Sequence, residues 1–222
     1  VMRFLTGYSA ETQAVFERNL LAMRDAGAIL VDLPQGPDDD AMGEAELTVL
    51  MFELKHDLNA YLGSTDPAQV KTRDLADVIA FNAAEPRETA LFGQDLFERA
   101  QATAGLDDPA YVEARAVSLR LAGEEGIDRL MRAHDLVALV APTTSRAWTT
   151  DREDQDDMQG SASQLAAIAG YPHLTVPMGF DRGMPVGLSF VGGKWDDARV
   201  LSLGYAFEQA THARRPPGAV SH

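Results

Sequence analysis

The chain has 222 residues, 45% of them hydrophobic and 24% charged, a balance that excludes a disordered polyelectrolyte and suits a soluble globular protein with a sizeable core. Its 34 acidic and 19 basic side chains give a formal net charge of -15, and so acidic a surface repels phosphate backbones and anionic membranes. No cysteine is present, which excludes disulfides, thiolate catalysis and Cys-ligated zinc.

In chain order, Val1-Met2-Arg3-Phe4-Leu5 reads as a short strand. It opens without an initiator Met, so the chain is expected to start mid-protein. Ser9 is placed to cap a helix running to Ala26, with Phe16, Leu20 and Met23 on one stripe and Gly27 as the stop. Ala28 to Val31 follows as a buried strand, giving a strand-helix-strand pattern that favours a parallel pair. A long helix is expected from about Ala41 to Leu62, with Leu47, Leu50, Met51, Leu54, Leu58, Tyr61 and Leu62 on its core face. Val49 and Phe52 form a second apolar patch near His56 that another element should cover. Asp74 to His134 is helical in pattern, punctuated at Pro86, Gly93, Gly105 and Asp108-Pro109.

Leu136 to Val140 reads as a short buried strand ending at Pro142-Thr143-Thr144, and the apolar stretch here is far too short to cross a bilayer. A polar loop reaches Gln159, after which Ser161 and Gln164 form an S-x-x-Q capping box for a helix from Gln164 to Ala169, closed by Gly170 and Pro172. Strands from His173 to Gly179 and Val186 to Val191 flank a hairpin-like Asp181 to Pro185 connection. A last helix spans about Asp197 to Thr211. The expected fold class is α/β, a sheet of mixed direction flanked by helices, with residues 1–222 as a single unit.

Candidate chemistry is sparse. No G-x-S-x-G elbow occurs, and Gly160-Ser161-Ala162-Ser163, the nearest small-residue turn before a helix, already uses Ser161 as a cap. Lys55, Lys71 and Lys194 are the only lysines, and the first two read as solvated. Lys194 follows a strand through Gly192-Gly193, but Trp195 stands where a phosphate loop needs Ser or Thr, so an ordinary strand-to-helix turn is expected. Glu53 and His56 have di-iron spacing in a single copy, which cannot build that site. The run Asp151, Glu153, Asp154, Asp156 and Asp157 lacks the Gly and Glu of an EF-hand and reads as a solvated loop.

From Val137 onward the order of motifs resembles the C-terminal part of the amidase signature family of C–N hydrolases. Val140-Ala141-Pro142-Thr143 is similar to the strand and turn before the family's variable substrate loop, and Ala169-Gly170-Tyr171-Pro172 through Val176-Pro177-Met178-Gly179 to its A-G-x-P-x-x-x-V-P-x-G run. Met184-Pro185-Val186-Gly187-Leu188-Ser189-Phe190-Val191-Gly192 resembles the following strand, and Ala206-Phe207-Glu208-Gln209 the closing helix. Upstream, Glu53 to Leu62 and Leu75 to Asn82 resemble the peptide-amidase-like branch.

The resemblance implies the C-terminal portion of the amidase signature fold, with a serine nucleophile, a second serine and a lysine base in an N-terminal half that this sequence does not carry. No residue here inherits a catalytic role, and this chain alone is expected to be inactive. Thr143, Thr144, Ser161 and Gln164 are the candidate substrate-binding residues, on one wall of the cleft. The resemblance further implies a small-molecule or peptide amide substrate held together with the N-terminal half of the same protein. It implies no cofactor, metal, nucleic acid or membrane, and the cytoplasm is favoured. The acidic balance argues against a component of a tRNA-dependent amidotransferase unless a partner supplies the RNA contacts. The alternative is a non-catalytic binding or scaffold protein retaining the amidase fold.

Overall fold

The structure, a computed structural model, describes residues 1–90, 93–148 and 160–217. The chain divides into two compact units, one made of Val1–Asp38 with Arg120–His222 and the other of Asp39–Leu119. The acidic run from Asp151 to Asp157 lies outside the described residues.

The Asp39–Leu119 unit is helical. α2 (Asp39–Ser64) is followed by α3 (Leu75–Ala84), α4 (Pro86–Thr89), α5 (Asp95–Gln101) and α6 (Pro109–Leu119). The i, i+3, i+4 stripe of α2 buries Met51 against Leu75 and Ala100, with Leu47, Leu54, Leu58, Ile79 and Phe97 packed around them. Phe52, from the second apolar patch of α2, meets the Tyr111 ring of α6 with ring centroids 5.7 Å apart. Helix ends leave carbonyls without partners, and cations fill that need here. Arg73 donates to Gly63 O at 2.7 Å and Thr65 O at 3.1 Å at the end of α2. Lys55 donates to Gln101 O at 2.9 Å and Thr103 O at 2.6 Å at the end of α5, so it is a half-buried cap and not the solvated side chain its sequence position suggested.

The other unit carries the sheet. β3 (Met184–Val191) is central and antiparallel to both β1 (Leu139–Pro142) and β2 (His173–Asp181). Among the described residues the parallel component is confined to a bridge between Met2 and Leu33. Of the strand read at Val1–Leu5 only Met2 is bridged, its partner Leu33 lies beyond the strand read at Ala28–Val31, and that second segment forms no strand, with Ile29 93% exposed. Pairing depends on a neighbour in register more than on β propensity. The expected start of β1 at Leu136 also shifts. Leu136 donates its N–H to Met131 O, closing α7 (Arg129–Ala133) through Asp135 in the left-handed region, and the strand begins only at Leu139.

The β2–β3 connection is a two-residue turn in which Arg182 and Gly183 both have positive φ, +48° and +83°, as a type I′ hairpin turn requires. On one face of the sheet Val140, Val176, Val186, Leu188 and Phe190 join Val15, Phe16 and Leu20 of α1 (Ala10–Asp25) and Val200 and Phe207 of α9 (Asp197–Thr211) in one core. The opposite face carries residues of the other parity. A π-helical segment, Arg120–Asp128, precedes α7 and packs against α8 (Gln164–Ala169).

α1 is pinned at both ends and in the middle. Ser9 accepts from the Thr12 N–H as its N-cap, and Gly27, at φ +96°, lets Gly27 N and Ala28 N reach Arg24 O and Met23 O. Asn19 donates to Val15 O and to Met178 O on β2. The buried Asp181 carboxylate accepts from Ser9 Oγ at 2.6 Å and Thr12 Oγ1 at 2.8 Å, with Arg146 Nε at 3.7 Å from its other oxygen. Burial alone would raise this carboxyl. The two hydroxyl donors and the Arg146 and Arg182 guanidiniums outweigh it and hold the carboxyl below its usual range. Asp181→Ala strands the buried Thr12 hydroxyl and the half-buried Ser9 hydroxyl and is expected to cost roughly 2–3 kcal/mol in urea unfolding, whereas Glu11→Ala, at an exposed ion pair with Arg182, should leave the urea midpoint nearly unchanged.

Candidate functional site

The candidate residues meet where β1 ends and α8 begins. Thr143 leaves β1 still paired, its N–H on Gly187 O at 2.7 Å and its carbonyl accepting from Ala162 N at 3.0 Å. Thr144 and Ser161 form an isolated antiparallel bridge. That bridge corrects the expected capping box. Ser161 is held extended two residues too early to cap α8, whose N-cap is Ser163 without a side-chain cap bond. Ser161 Oγ instead lies 3.0 Å from Ser163 Oγ. Thr144, Ser161 and Ser163 are exposed, and Thr143 and Gln164 are half-buried. The structure thus brings Thr143, Thr144 and Ser161 together and sets Gln164 at the first turn of the adjoining helix.

Tyr8 braces this corner. Its hydroxyl donates to Pro142 O at 2.9 Å, and burial pushes the phenol up, so it stays a donor. Its ring lies so close to Gly160, which has φ +66°, that a Cβ there would sit 2.5 Å from Tyr8 Cδ1. Only glycine fits that turn.

A row of polar groups extends from Thr143 across the sheet face opposite the core. Thr143 Oγ1 lies 2.6 Å from Thr175 Oγ1 on β2 and 2.9 Å from Ser189 Oγ on β3, and Ser189 Oγ lies 2.7 Å from His173 Nε2. Gly187 makes this possible, since a Cβ there would fall 2.6 Å from Thr175 Oγ1 and 2.9 Å from Thr143 Oγ1. The sequence reading missed Thr175, Ser189, His173 and Tyr8. The signal was present in β2, where His173 and Thr175 alternate with Leu174 and Val176. Ser189 beside an imidazole has the outline of a nucleophile–base pair, but it is fully buried with both neighbours occupying its oxygen, so no carbonyl carbon can approach it.

The other polar candidates have local partners. Glu53 Oε1 accepts from Tyr111 at 2.8 Å while His56 pairs with the adjacent Asp57, so the two turn to different neighbours. Lys71 donates to Pro67 O, and Lys194 lies over the Trp195 ring. A cavity of about 270 Å³ between α1 and α9, lined by Met23, Gly27, Phe190 and Phe207, opens on the apolar side of the sheet and away from the hydroxyl row. Among the described residues no helix is long and apolar enough to cross a membrane.

Burial lowers the His173 imidazole below its usual value. The unfolded chain then takes up this proton first as pH falls. The contribution is intact above about pH 6.5 and is lost as pH drops from there through the folded-state value. Urea midpoints should fall across that window, and His173→Gln should flatten the fall.

Residues 1–201 match the Amidase family model. The chain is 29% identical over 218 residues to a probable amidase of Arabidopsis thaliana, covering 95% of this chain and 39% of that protein. It is also 29% identical over 229 residues to a glutamyl-tRNA(Gln) amidotransferase component of Halorhodospira halophila, covering 97% and 45%. Its structure is similar to that of the native peptide amidase from Stenotrophomonas maltophilia, with a TM-score of 0.84 and 45% identity over 94% of this chain and 42% of that one. The chain thus spans about two fifths of the length of these relatives. With the family match running through both units and the mixed α/β fold agreeing, the chain belongs to the amidase signature family.

Proposed function

We propose that this chain is the C-terminal part of an amidase that hydrolyses carboxamide C–N bonds through a serine acyl-enzyme. In this reading both units belong to one amidase domain, and the N-terminal half of the same protein supplies the two serines and the lysine. The likeness to a peptide amidase across nearly the whole chain carries the proposal and favours a peptide amide as substrate. The side chains agree with it. Each described lysine Nζ is engaged with backbone carbonyls or an indole ring, so none stands as a base beside a hydroxyl.

The role of the chain is then to shape and hold. At the exposed residues Thr144 and Ser161 hydroxyl oxygens are available to an amide group, Thr144 Oγ1 as an acceptor because its proton goes to Ser145 O, with Thr143 and Gln164 beside them. Their positions are fixed by the Thr144–Ser161 bridge and by the Tyr8 brace, so little ordering cost remains when a ligand binds.

The isolated chain is expected to release no ammonia from a C-terminally amidated peptide. A chimera in which it replaces the matching part of the Stenotrophomonas maltophilia peptide amidase should release it. Hydrolysis by the isolated chain would refute the proposal, and a folded but inactive chimera would favour a chain that keeps the fold without contributing to the chemistry.

A further inference from the structure

The hydroxyl row behind the site has a direction. Thr175 Oγ1, Thr143 Oγ1, Ser189 Oγ and His173 Nε2 are joined in series at 2.6, 2.9 and 2.7 Å. Each hydroxyl has a single proton to donate, and the imidazole nitrogen either donates or accepts. Ser189 is fully buried between its two neighbours, so its proton goes to one of them and it accepts from the other. With Nε2 as acceptor, Ser189 donates to His173, Thr143 to Ser189 and Thr175 to Thr143. Thr175, an exposed residue, then keeps only lone pairs to offer a ligand. With Nε2 protonated, every hydroxyl reverses and Thr175 presents its O–H.

We propose that His173 is a positioning residue that sets, through Ser189 and Thr143, whether Thr175 offers a donor or an acceptor to a hydrogen-bonding group of the carboxamide class. The ligand class rests on the function proposed above; the polarity of the row does not. A carboxamide carries a C=O acceptor and N–H donors, so reversal would exchange which of its ends Thr175 can hold.

Among the described residues, the neighbouring titratable groups pair with one another. Tyr171, two residues before it, donates to Asp128 of the π-helical segment, with Arg132 acting on the same phenol. Asp196 at the start of α9, beside Gly192, is paired with Arg199. Neither set enters the balance at His173, where burial is the cause, and the imidazole is therefore kept neutral near pH 7. Gly187 completes the device, because any side chain there would part Thr143 from Thr175.

The test is a pH titration of the isolated chain followed by NMR of its threonine side chains and histidine rings. In the unaltered protein the Thr175 methyl and Cβ shifts should follow the His173 midpoint. Ser189→Ala should leave His173 titrating and abolish the Thr175 response. Thr143→Val, close in shape, breaks the row one link nearer Thr175 and should do the same, which keeps the test usable if the serine variant does not fold. A Thr175 that ignores the His173 midpoint in the unaltered protein, or that still follows it in a folded variant with the row broken, would overturn the proposal. Neither result bears on amide hydrolysis, which the chimera reads separately.

Discussion

The central strand β3 is hydrogen-bonded along both edges, and its register divides the face that carries the hydroxyl row from the apolar core. Because side chains alternate along a strand, Val186, Leu188 and Phe190 enter the core while Gly187 and Ser189 fall on the other face. A slip of one residue would exchange the two sets, placing Ser189 among the core aliphatic groups and Phe190 in the space beside Thr143 and His173. Each of the buried apolar chains contributes roughly 1.5–3 kcal/mol, so this register is strongly specified. The hydroxyl row and the ends of Thr143 and Thr144 inherit their positions from it.

Long-range polar ties fix the rest of the corner. Asp181, at the end of β2, reaches Ser9 and Thr12 at the start of α1, and Tyr8 beside them reaches Pro142 and lies against Gly160. One short stretch, Tyr8 to Thr12, therefore anchors the hairpin and the candidate substrate wall together. Such sites gain precision when supporting groups lock the residues that touch ligand. The Thr144–Ser161 bridge serves that end at the expense of the helix cap that the local sequence could otherwise form.

The legible parts of the fold were those set by local rules. α8 and α9 occupy their expected spans, and β2 and β3 differ from the reading only by extension into the hairpin turn. Ser9 and Gly27 cap α1 as read. What failed depended on partners distant in sequence. Val1–Leu5 and Ala28–Val31 have strand-like composition, yet only Met2 and Leu33 find a bridge. Lys55 looked solvated because the carbonyls it caps lie more than forty residues away. Tyr111 covers Phe52 from α6, a pairing that helical periodicity alone does not reveal.

The candidate site was half legible for the same reason. Thr143, Thr144 and Ser161 were found from motif order and do converge, but the row through Thr175 and Ser189 to His173 needed the three-stranded register. The central claim is that this chain shapes an amidase site without supplying its nucleophile. The most direct measurement is to treat the proposed longer protein that would contain this chain with an alkyl fluorophosphonate and map the modified serine by peptide mass spectrometry. The account predicts a label on a serine outside these 222 residues. Stoichiometric label on Ser161, Ser163 or Ser189 would contradict it.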